Sequence, residues 1–179
     1  MAEDDVRTRA DERRRLLGRL DVERAQLVRN IETCRIRDIE RPFIGDWSLK
    51  DIVGHVASWE AEVVNAVREV RDGRRPALLD FQSANLDSWN RDHVERKRNL
   101  NFWSVLEQLR GGRTRLVEEL APFSDEELTT DDSVLSRLVL SVIDHDIEHW
   151  HEIAARLAGM AGARRTGPTS VPEEAAATG

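Results

Sequence analysis

The chain has too little of several things to belong to whole classes of protein. It holds a single cysteine, Cys34, in 179 residues, so no internal disulfide can form. With no basic cluster around it, that thiol reads as packed core rather than nucleophile. No apolar run approaches the roughly 20 residues that span a bilayer, so no membrane partner is expected. The opening residues Met1-Ala-Glu-Asp-Asp5 are acidic where a signal peptide would be basic, and a cytoplasmic location is expected. Positive charge is short as well: 27 Lys and Arg face 34 Asp and Glu, a net charge of −7. Proteins that grip nucleic acid need a basic field against the phosphates, so no nucleic-acid partner is expected. Strand patterning, internal repeats, a Gly-rich phosphate loop, a Cys-x-x-Cys pair and a Gly-x-Ser-x-Gly elbow are all missing from the sequence.

What is present is helical. A composition of 40% hydrophobic and 34% charged residues suits long amphipathic helices with solvated outer faces in one domain. The first helix is predicted over residues 5–36, with Leu16, Leu17, Leu20, Leu27, Val28, Ile31 and Cys34 on its apolar side. The connector 40–46 leads to Ser48, an N-cap with Asp51 three residues on. The second helix then carries Ile52, Val56, Trp59, Val63, Val67 and Val70 inward, and His55 at the edge of that stripe. After residues 72–76 a long segment runs to about 101, in part helical between 87 and 98, as a crossover that covers one end of a bundle. His93, among charges, reads as solvated. The third helix, 102–120, turns Val105, Leu106, Leu109, Leu116, Val117 and Leu120 inward. Its Gly111-Gly112 pair costs about 2 kcal/mol in helix propensity, which points to close packing or a kink. Ser124 to Glu127 forms another capping box, and the fourth helix spans 133–158. The expected domain is therefore an all-α four-helix bundle over residues 1–160, followed by a disordered tail, 161–179.

The sharpest feature lies in the fourth helix. His145 and His149 are four residues apart, so both rings leave the same face, and that face is the apolar one. His151 points away, to a surface or interface. Buried imidazoles need partners, and either a metal or hydrogen-bonding core groups would serve. A third convergent ligand decides for the metal, and His55 is the candidate. Three neutral imidazoles leave a coordination position open, the pattern of a catalytic rather than a structural site.

Residues Gly45-Asp-Trp-Ser-Leu-Lys-Asp-Ile-Val-Gly-His55-Val-Ala-Ser-Trp-Glu60, Leu86-Asp-Ser-Trp-Asn90, Ser124-Asp-Glu-Glu-Leu128 and the late histidine pair resemble, in order and spacing, the DinB/YfiT-like superfamily. That group includes the ClbS/DfsB bundles and the metal-binding domain of mycothiol-dependent maleylpyruvate isomerase. The resemblance implies an up-down-down-up bundle with a long crossover between helices 2 and 3. It also implies a metal triad of His55, His145 and His149. A second register, suggested by the ClbS-like members, would instead place Ile153 at the last ligand position. Many relatives carry glutamine where Glu152 stands.

Two functions follow as expectations. One is a divalent-metal-dependent enzyme acting on a small molecule, by thiol-dependent transfer or isomerisation or by detoxifying hydrolysis. Zinc or nickel would be its ion, manganese or iron the alternatives, and a low-molecular-weight thiol its cosubstrate. Glu152, and more weakly Glu60, are then candidates for proton transfer, beside a cavity bordered by Trp59, Trp150 and the crossover. The other is a non-catalytic bundle that binds metal or a small ligand, or serves as a stress-response or interaction module. A homodimer, as in several relatives, is compatible with either.

Overall fold

The structure, a computed structural model, describes residues 2–81 and 83–165. Four long helices dominate: α1 (Ala2–Thr33), α2 (Leu49–Arg71), α4 (Phe102–Leu120) and α6 (Val134–Arg165), with the shorter α3 (Leu86–Lys97) and α5 (Asp125–Thr129) between them. Their starts follow from capping chemistry. The Ser48 hydroxyl accepts from the Asp51 amide, and the Asp51 carboxylate accepts from the Ser48 amide, at the head of α2. Ser124 and Glu127 repeat this reciprocal pair at α5, and the Asn101 side chain caps α4.

Polar rungs between the helices fix their directions. Glu60 meets Arg113 and Arg68 meets Glu119, so α2 and α4 run the same way. Arg24 meets Asp146 and Asn30 meets the Trp150 carbonyl, so α1 and α6 also run together. Between α1 and α4 the numbers climb in opposite senses, Arg13 reaching the Phe123 carbonyl and Arg24 the Leu109 carbonyl. Two consecutive parallel helices, α2 and α4, need a long return connection. That connection is residues 72–101, with α3 inside it. Its end is pinned where Lys97 Nζ donates to Ser58 Oγ at 2.5 Å. The bare Gly54 makes room there, since a Cβ would lie 3.0 Å from Lys97 Cδ.

Two apolar clusters fill the bundle. One gathers Leu20, Val63, Val67, Leu116, Leu120, Leu138 and Val142; the other gathers Leu27, Ile31, Ile52, Val56, Val105, Leu109 and Ile153. Between them in every long helix lies one buried charge: Arg24 on α1, Glu60 on α2, Arg113 on α4 and Asp146 on α6. Arg24 bonds both Glu60 (2.9 Å) and Asp146 (2.8 Å). Arg113 bonds the same two at 2.7 and 2.8 Å, and also the Leu20 carbonyl. Two guanidinium groups and two carboxylates thus neutralise each other in the buried interior. Gly112 makes the layer possible, because a Cβ on it would lie 2.9 Å from Glu60 Oε2.

Several sequence expectations change. A short hairpin, β1 (Pro42–Ile44) against β2 (Trp47–Ser48), exists where no strand was expected. Strands of three and two residues are too short to show alternation, and the turn rests on Gly45 at φ +55°. The first helix ends at Thr33 rather than near 36. Val117 is 37% exposed rather than inward. His93 is not solvated but partly buried, stacked on Trp89 at 3.9 Å between ring centroids. The fourth helix continues to Arg165, into the segment expected to be a tail; residues 166–179 lie outside those described.

Candidate metal centre

The site begins with local structure. The capping box at Ser48 starts α2 so that His55, two turns in, lands 5% exposed against α6. On α6 the i, i+4 spacing stacks His145 and His149 on one face, and Asp146 beside them anchors that helix to Arg24 and Arg113. The result is convergence of all three expected ligands. His145 Nε2 lies 2.8 Å from His55 Nε2 and 3.1 Å from His149 Nε2. Ile153, which the second register would place at the last ligand position, is wholly buried in the apolar cluster and is not part of the histidine group.

The protonation logic favours a cation. Burial, followed by the nearby His149 ring, pushes the His145 imidazole down to about 2 and the His55 imidazole down to about 3. Both rings are therefore neutral at neutral pH, with lone pairs to offer. His149 Nδ1 stands 2.9 Å from Glu152 Oε2. This carboxylate draws the ring proton to Nδ1 and leaves the Nε2 lone pair facing the cluster. A single proton on His145 Nε2 could satisfy only one of its two neighbours. A divalent ion among the three nitrogens would satisfy all of them. These three residues are the group of ligand-type side chains, among those described, that could hold an ion.

Beside the triad opens a cavity of about 620 Å³. Trp47 and Gly45 from the hairpin, Ile52 and Trp59 from α2, Leu86 and Asn90 from α3, and Glu148 and Glu152 from α6 form its walls. The crossover therefore does border the site, as expected of it. Trp150 does not: its Nε1 donates to Glu23 on α1 at 2.9 Å, and its partly buried ring packs against the core. Glu60 is also removed from this site, both oxygens being taken by Arg24 and Arg113. Glu152 is at the cavity wall, 42% exposed and bonded to His149. Trp47, whose ring stands edge-on to His55 at 5.2 Å, and Glu148 were not singled out from sequence. Their signal was available only in hindsight: Glu148 lies one turn after His145 and one before Glu152. Cys34 takes no part. Burial, then the charge of Asp38, pushes its thiol up to about 11, as fits an inert packed cysteine.

The family model for the DinB superfamily matches residues 7–153. The chain belongs to the DinB superfamily. No curated protein and no solved structure matches it. The match runs from α1 to one residue beyond Glu152, so all three histidines of this DinB-superfamily bundle lie inside it. No helix among the described residues is long and apolar enough to cross a membrane.

Proposed function

We propose that this bundle is a divalent-metal-dependent enzyme acting on a small molecule. The observation that carries the reading is the convergence of three imidazoles on one point beside an open cavity. Three protein ligands leave room for a reactant. His55, His145 and His149 would hold the ion, zinc or nickel being among those that imidazole donors suit, and it would supply Lewis acidity that lowers the pKa of a water or thiol. The chain's own residues do the rest. Glu152 orients His149, and its carboxylate at the cavity wall is placed to accept a proton from an incoming nucleophile. Trp47 and Trp59 exclude water from one side. Thiol-dependent transfer or isomerisation, with a low-molecular-weight thiol as cosubstrate, and hydrolysis are the reaction classes this arrangement suits.

The test is elemental analysis of protein purified without a metal-affinity tag, alongside His55→Ala, His145→Ala and His149→Ala. Near-stoichiometric metal in the native chain, lost in each variant while helicity is kept, is the expected result. Loss in only one variant would sink the three-ligand site.

A further inference from the structure

The cavity has a distinct charge and an unfilled hydrogen-bonding demand. Three carboxylates, Asp46, Glu148 and Glu152, line it, and no lysine or arginine does. Among the described residues, neither the Asp46 nor the Glu148 carboxylate has a hydrogen-bond or ion-pair partner. Two nearby cations are committed elsewhere: Lys97 is bonded to Ser58 and Arg24 is locked in the buried layer. Arg156 lines a neighbouring groove with Glu152, outside the lining of this cavity. Deeper in the wall, Asn90 Oδ1 is buried with no partner, as is Trp59 Nε1. A buried carbonyl without a donor is costly in a native structure and marks a place where a ligand group belongs.

We infer that the ligand of this cavity carries a primary ammonium group. Such a group supplies the N–H that Asn90 Oδ1 lacks, places positive charge among three carboxylates, and can stack against the faces of Trp47 or Trp59. A quaternary ammonium would meet the charge but leave the amide carbonyl unsatisfied. An anionic ligand would meet repulsion from the carboxylates and find no basic side chain in the lining. The inference deepens the proposed function by naming the substrate class, and it takes the cavity of that reading as the binding site.

The test titrates the full chain with benzylammonium and with benzoate, followed by ligand-observed NMR, in metal-free protein and after addition of one equivalent of zinc. Zinc content is measured on the same samples. In metal-free protein, benzylammonium should bind at least about tenfold tighter than benzoate, a ratio worth about 1.4 kcal/mol. The double variant Asp46→Asn, Glu148→Gln, which alters exposed side chains only, should bring the ratio towards one. Equal binding of the two probes, tighter benzoate, no saturable binding of either, or a ratio unchanged in the double variant would overturn the inference. Zinc uptake without charge preference overturns the ligand class and leaves the metal reading standing. Charge preference without zinc uptake does the reverse.

Discussion

Two adjacent glycines show how local the determinants are. At Gly112 an added methyl collides with a carboxylate oxygen that cannot retreat, because Glu60 is held by Arg24 and Arg113. At Gly111 the same methyl meets only the end of the Arg115 side chain at 3.4 Å, which can swing away. Gly111→Ala should therefore raise the stability by up to about 1 kcal/mol through helix propensity. Gly112→Ala should lower it by about 1–3 kcal/mol through overpacking. Thermal denaturation of the two variants reads both signs, and a stabilised Gly112→Ala would contradict the packing described. Glu152 gives a second residue-scale prediction. If it fixes the tautomer of His149, Glu152→Ala should weaken zinc binding by about 10- to 100-fold while the circular dichroism stays unchanged. The pair His145 and His149 was legible in the sequence because spacing and apolar phase are local properties, whereas the meeting of His55 with them was implied by the family resemblance. The bond from His149 to Glu152 was only half legible: the three-residue offset is readable, the rotamers are not.

At the level of elements, the helices bury their stripes much as periodicity predicts, but the stripes are interrupted. Arg24 lies in phase with Leu20, Leu27 and Ile31, and Arg113 with Leu109, Leu116 and Leu120. A charge inside an apolar stripe was the available signal for the buried layer. It was missed because these helices are rich in charge and each partner sits on a different helix, at separations of 33 to 122 residues. Such a layer need not add net stability, since desolvation offsets much of the Coulomb attraction. Breaking it is another matter. Glu60→Gln or Asp146→Asn leaves buried guanidinium charge without compensation and should cost about 3–5 kcal/mol. The midpoint of urea unfolding should fall while its slope is kept. Loss below about 1 kcal/mol would mean that the pairs are solvent-screened and not the buried network described. The hairpin was illegible for a simpler reason, that five residues of strand carry no period.

For the molecule as a whole, the histidine cluster is also a built-in liability towards acid. His55 and His145 are held neutral in the fold, pushed from an ordinary 6.5 to about 3 and about 2. Above 6.5 folded and unfolded chains carry the same protons on these rings, and the rings add no pH dependence. Below 6.5 the unfolded chain binds protons that the folded chain refuses, so stability falls with falling pH until the folded rings themselves titrate. Each ring contributes at most about 1.4 kcal/mol per pH unit in that window. Carboxylates act lower down. Glu119, held low by its hydrogen bond from Arg68, and Glu127, held low by Ser124, lose their contribution only below an ordinary 4.5. Unfolding free energy measured in metal-free protein between pH 7 and 5 should therefore decline chiefly through the histidines. His145→Gln should flatten that decline. One equivalent of zinc should raise the stability across the whole range by mass action without flattening the decline, because the folded rings it would bind are already free of protons and the unfolded chain still takes them up. A decline of equal slope in native protein and in His145→Gln would place the acid sensitivity outside the triad and remove the case for neutral, ligand-ready imidazoles.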